Sequence, residues 1–138
     1  MAIEEPQAKN KILMTETKNL AVTKDKFNTD ELWKTANGDR EFFEKMINNF
    51  ISNAESLVSV FVEGAATGNW KEIGERAHKA IPSFKFFSLF QIANSLEAIE
   101  DKTLRNADNV LAAKIVEQSI VEIKNIIDLA KMSLEEKL

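Results

Sequence analysis

Residues 39–68 read DREFFEKMINNFISNAESLVSVFVEGAATG, and the spacing of their apolar side chains decides the fold class. Phe42, Phe43, Met46, Ile47, Phe50, Ala54, Leu57, Val58 and Phe61 recur at intervals of three and four. That is the period of one helix face, not the alternation of a strand. Asp39 precedes the run and can accept backbone N–H groups at a helix start. Gly68 supplies a left-handed stop at low cost. The segment therefore predicts one long amphipathic helix.

The same punctuation repeats on either side. Upstream, Asn28 precedes Asp30 and Glu31 and is placed to cap a short helix carrying Leu32 and Trp33, which Asn37-Gly38 ends. Downstream, Asn69-x-x-Glu72 has the form of a capping box. It opens a helix whose buried stripe is Trp70, Ile73, Ala77, Ala80, Phe84 and Phe87. Ser88-x-x-Gln91 has the same form and predicts a restart, with Leu89, Ile92, Ala93, Leu96 and Ile99 on the apolar face. A polar stretch, DKTLRNAD, separates this from a last helix built on Leu111, Ile115, Val116, Ile123, Ile126, Ile127 and Ala130. No segment alternates with period two, so the chain reads as all-α. Four sizeable amphipathic helices with short connections predict an antiparallel four-helix bundle, the short first helix capping one end. Residues 1–26 show no sustained period and read as a tail or linker, with Ile12, Leu13 and Met14 as its apolar points. Residues 27–138 read as the one domain.

Composition narrows the classes of function. A chain of 138 residues suffices for one core. It has no apolar run long enough to span a membrane, and its amino terminus, MAIEEPQAKNK, lacks the apolar stretch of a signal peptide. The absence of Cys removes disulfides and thiolate metal ligands. A net charge of −4 without a basic cluster argues against nucleic acid. The expectation is a cytoplasmic monomer that engages neither nucleic acid nor membrane.

Candidate chemistry centres on residues 76–87, RAHKAIPSFKFF, which hold the chain's single histidine. At about 100° per residue, His78 lies roughly 130° from the middle of its helix's apolar stripe and faces solvent. Gly74 and Pro82 fall within about 40° of it, one turn away on either side, and Lys71 and Lys85 within about 20°, two turns away. Interior Gly and Pro cost a helix about 1 and 3 kcal/mol. Here they clear bulk from around the imidazole, while the lysines make the strip basic, a surface suited to an anionic partner. Phe86, about 80° from His78, and Ile81, about 60° from it, predict an apolar rim. A solitary histidine does not make a self-contained metal site, so neither a metal nor a bound cofactor is expected. Glu97, Glu100 and Asp101 read as a solvated acidic face. The wheel alone does not separate a working histidine from an idle one.

Residues 77–100, AHKAIPSFKFFSLFQIANSLEAIE, resemble the signature of histidine-containing phosphotransfer (HPt) domains of bacterial phosphorelays. Ala77-His78, Pro82-Ser83, Leu89 and Leu96 match that pattern. The upstream GDREFFEKMINNFISNAESLVSVFVEGAATGNWKEIGERAH looks like the family's long helix and the turn before its histidine helix. The resemblance covers roughly residues 27–135. It implies a phosphorelay intermediate in which neutral imidazole Nε2 of His78 accepts a phosphoryl group from a receiver-domain aspartate and passes it to another receiver. Such chemistry suits a side chain that is largely neutral near pH 7 and nucleophilic at its ring nitrogen. The implied partners are response-regulator receiver domains and a hybrid sensor histidine kinase. Mg²⁺ would come from the receiver's active site, so autonomous catalysis is not expected. The chain departs from the pattern at Ile81, where Lys is usual, at Ser88, where Gly is usual, and at Ala80, where Leu is usual. Lys85 and Lys79 are then the cations expected near the phosphate. Lys71, Gly74, Glu75, Ile81, Pro82 and Phe86 form the expected docking surface. The alternative is a degenerate module of the same shape that binds a receiver or another protein without carrying phosphate.

Overall fold

Each described α-helix starts where its first amides find a side-chain oxygen as a substitute hydrogen-bond partner. A computed structural model describes residues 25–136. Five α-helices and one π-helical turn, with no strand among the described residues, run in the order α1 (Asp30–Ala36), α2 (Arg40–Thr67), α3 (Trp70–Phe86), α4 (Phe90–Glu100), the π turn (Asp101–Arg105) and α5 (Asn109–Glu136). At the head of α2 the Asp39 carboxylate accepts the Phe42 amide at 3.0 Å, and Gly68 ends the helix at φ 77°. Asn69 caps α3 by accepting the Glu72 amide at 3.3 Å, and its own amide group donates to the Glu72 carboxylate at 3.2 Å. Asn28 accepts the Asp30 amide at 2.8 Å just ahead of α1. Asn37 and Gly38, both at positive φ, close that helix.

The start of α4 departs from the sequence-based expectation. Ser88 makes no capping box; it sits in the left-handed region at φ 62° and Leu89 occupies the N-cap position. The cap comes instead from Asp25, whose two carboxylate oxygens accept the amides of Gln91 at 3.1 Å and Ile92 at 2.9 Å. A carboxylate there satisfies two orphan donors and meets the positive end of the helix dipole. Asp25, assigned by sequence to the tail, is thus part of the folded unit. Phe27 follows it inward and stacks on Phe87 with ring centroids 4.6 Å apart. Ile12, Leu13 and Met14 lie outside the described residues.

The apolar stripes meet in one core. Phe43, Ile47, Phe50, Leu57 and Phe61 of α2 join Ile73, Ala77 and Phe84 of α3, Ile92, Leu96 and Ile99 of α4, and Val116, Ile123, Ile126 and Ala130 of α5. Helix α2 packs on α3 and α5, and α4 packs on the same two helices. Trp33 stacks on Phe43 at 3.8 Å and fastens α1 to α2. In α5 the predicted stripe is off by one residue at its start, because Leu111 is exposed and Ala112 is buried. That helix also buries Ser119 and Glu122. Burial pushes the Glu122 carboxyl above the usual range, with a hydrogen bond from Gln118 opposing it. No described helix is long and apolar enough to cross a membrane.

Two further features position the site. Helix α3 runs unbroken through Pro82, so the chain breaks only at Phe87–Leu89. Proline has no N–H to give, and in an α-helix that amide would have bonded to the carbonyl of residue 78. The polar stretch expected to separate two helices instead extends α4 by the π turn, closed by the Asn106 amide on the Asp101 carbonyl at 2.8 Å. Thr103 ties the turn back to α4 by donating to the Ile99 carbonyl at 2.7 Å.

Candidate functional site

His78 projects from the middle of α3 with 66% of its side chain exposed, and its Nδ1 lies 3.0 Å from a carboxylate oxygen of Glu100. Glu100 is the last residue of α4 and keeps only 12% of its side chain exposed. Burial alone would push its carboxyl up. The hydrogen bonds and charges of His78 and Arg105 outweigh that and hold it below the usual carboxylate range. Glu100 is therefore ionised at neutral pH and can only accept. The proton it shares with a neutral imidazole must sit on Nδ1, which leaves the Nε2 lone pair directed away from the carboxylate. An exposed Nε2 lone pair on a ring oriented by a carboxylate is chemically able to act as a nucleophile.

Arg105 completes the arrangement. Its Nη1 pairs with the same Glu100 oxygen at 3.2 Å, and its Nε lies 3.7 Å from Asp101. Asp101 is held in turn by Asn106, whose amide group donates to both carboxylate oxygens at 2.9 and 3.1 Å. That bond leads the influences that keep the Asp101 carboxyl below its usual value. His78, Ile81, Pro82, Glu97, Glu100 and Arg105 line one shallow depression. No group of three or more His, Cys, Asp or Glu side chains suited to hold a metal occurs among the described residues.

The other predicted site residues fall into two groups. Pro82, Glu75, Lys71, Lys79, Lys85 and Phe86 are exposed along α3. The strip is less basic than expected, because Lys71 pairs with Glu75 at 2.6 Å and Lys85 with Glu97 at 3.3 Å. Lys79 lies instead on the α2 side, beside Arg76 and Asn53. Phe86 sits edge-on to Phe87 and beside Phe42 and Met46, again on the α2 side.

Gly74 and Ile81 do not belong to an open docking surface. Ile81 is 8% exposed and packs in the core, touching the depression only at its floor. Gly74 is buried beneath the π turn, and a Cβ added there would collide with the Thr103 hydroxyl and stand 2.7 Å from Leu104 Cγ. Its missing side chain makes room for the turn, not for a partner. The wheel misplaced both residues because it knows only one helix. The region from about 300 to 320° on α3, which it treats as rim, is where α4 and the π turn pack.

Glu100 and Arg105 are the site residues that sequence reasoning missed. In a plain α-helix, at about 100° per residue, positions 100 and 105 diverge by roughly 140°. The i→i+5 closure of a π turn brings them back to one side. Replacing Glu100 by Gln is expected to cost about 1–2 kcal/mol at pH 7, the scale of a charge-assisted hydrogen-bond pair. The Glu100 value is lowered on folding, so its contribution is complete above the unfolded carboxyl's range and fades as pH falls through the folded value. Urea unfolding of both proteins should therefore show the gap closing as pH drops below about 4.5, with imidazole ¹⁵N shifts showing the Nδ1–H preference lost in Glu100→Gln at neutral pH.

No protein-family model matches the chain, no curated protein is significantly similar to it, and no solved structure matches it.

Proposed function

We propose that the protein is a phosphorelay intermediate of the HPt type, accepting a phosphoryl group on Nε2 of His78 from a receiver-domain aspartate and passing it to a second receiver. The observation that carries this reading is the Glu100 carboxylate 3.0 Å from His78 Nδ1 beneath a largely exposed ring. In the first step the Nε2–P bond forms while the P–O bond of the aspartyl phosphate breaks, its electron pair returning to the carboxylate. Transfer onward reverses those roles with a new aspartate. The receiver contributes Mg²⁺ and the pocket that stabilises the moving charge, so this chain contributes the nucleophile and the surface around it. In this reading the helices form an antiparallel four-helix bundle, α2 to α5, with α1 capping one end. The protein works as a cytoplasmic monomer between a hybrid sensor histidine kinase and response-regulator receivers, binding no metal or cofactor of its own.

The test is incubation with a panel of ³²P-phosphorylated receivers and Mg²⁺. Acid-labile, alkali-stable label is expected on this chain, and with one histidine in the sequence such label reports His78. Receivers that bind while none transfers phosphate would replace this reading with that of a module that docks without carrying the group.

A further inference from the structure

We propose that Arg105 is the phosphoryl-binding cation of this site, leaving Glu100 for the phosphate when His78 becomes phosphorylated; this rests on the carrier reading of His78. A phosphoryl group on Nε2 brings close to two negative charges to a depression whose walls already include Glu97 and Glu100. Of the residues lining it, only Arg105 carries a permanent positive charge. Lys85 lies outside that lining and reaches it only through its pairing with Glu97 at 3.3 Å. Ile81 is turned into the core, and Lys79 faces the α2 side.

Geometry favours Arg105 for the exchange. His78 Nδ1 and Arg105 Nη1 meet the same Glu100 oxygen, which places the guanidinium within two hydrogen-bond lengths of the ring. Its contacts to Glu100 and Asp101 run through Nη1 and Nε, so the Nη2 edge is engaged in neither. The side chain is more than half exposed, and a long flexible stem can carry the head from Nδ1's side of the ring to Nε2's. The exchange trades one ion pair for another. Phosphate offers three acceptor oxygens to a planar fork of donors, the geometry arginine matches best. The π turn is the device that makes this possible, because its i→i+5 closure sets residue 105 over residue 100. Gly74 lets that turn lie close enough on α3 to deliver it.

The experiment uses potassium phosphoramidate, which labels histidine without any receiver. Nε2 attacks phosphorus, the P–N bond of the donor breaks, and the amino group leaves with a proton as ammonia. The full chain, Arg105→Gln and Arg105→Lys are compared by ³¹P NMR for labelling rate, and by imidazole ¹⁵N shifts for the tautomer. Arg105→Gln is expected to label roughly five-fold more slowly, a change of about 1 kcal/mol, with the Nδ1–H tautomer kept and Arg105→Lys recovering part of the rate. An unchanged rate overturns the proposal. So does a slower rate accompanied by loss of the tautomer, since Arg105 would then act by holding Glu100. Should receivers fail to transfer phosphate while phosphoramidate labels the protein, the carrier reading falls and the Arg105 comparison is still decided.

Discussion

Replacing His78 by Gln is expected to reduce labelling by either a phosphorylated receiver or phosphoramidate to background, while leaving the protein folded. The two halves of this expectation have separate causes. Glutamine has no nucleophilic ring nitrogen at neutral pH, and the chain has no second histidine to take over. The fold survives because His78 contributes little burial, with 66% of its side chain in solvent. Glu100 keeps Arg105 at 3.2 Å, and the glutamine amide can still donate to it. The expected cost is about 0.5–1 kcal/mol, that of one weakened and largely exposed hydrogen bond. Alkali-stable label measured alongside urea unfolding checks both parts. Label that persists in His78→Gln would mean phosphate sits on another side chain, and the nucleophile assigned here would be wrong.

The sequence made the helices legible because their signals are local. The three-and-four spacing of Phe43, Ile47, Phe50 and Phe61, the Asp39 cap and the Gly68 stop each depend on residues within a few turns. The exposure of His78 followed from the same arithmetic. What stayed hidden depends on contacts between distant parts of the chain. Asp25 caps α4 from 66 and 67 residues away, and the sequence offered the nearer Ser88-x-x-Gln91 in its place. Glu100 looked like part of a solvated acidic face until α4 was laid against α3, which put it under the imidazole. Ile81 appeared to mark a lost cation on the rim. In the fold it is a core residue on which a lysine would have to bury its charge or snorkel out past Pro82. The π turn has no sequence signature in DKTLRNAD that distinguishes it from a polar connection, yet it sets where Arg105 ends up. The candidate site is therefore legible in its exposed histidine and illegible in Glu100 and Arg105 beside it.

Replacing Gly74 by Val is expected to be the most destabilising of the changes considered, with Gly74→Ala milder, although helix propensity alone argues the reverse. Alanine in a helix interior gains about 1 kcal/mol over glycine. Against this stands the steric fact that any Cβ at 74 collides with the Thr103 hydroxyl and lies 2.7 Å from Leu104 Cγ. Overpacking of that kind costs typically about 1–3 kcal/mol, and valine adds two methyl groups to the same gap. Gly74→Ala should therefore be destabilised by up to about 2 kcal/mol net and Gly74→Val by about 3 kcal/mol, with a fall in Tm of roughly 3–5 °C for each kcal/mol in a domain of this size. A double-mutant cycle identifies the cause: Leu104→Ala, which removes one of the side chains a Cβ would meet, should be less harmful in the Gly74→Ala background than alone. Additive effects would show that the turn is not seated by this contact. The consequence reaches the site because Glu100 precedes the turn and Arg105 ends it. Lifting the turn off α3 should separate the carboxylate and the guanidinium from an imidazole that has not itself moved. Gly74→Ala should then label more slowly with phosphoramidate and show a weakened Nδ1–H preference, joining the small residue in α3 to the reactivity of a ring one turn away.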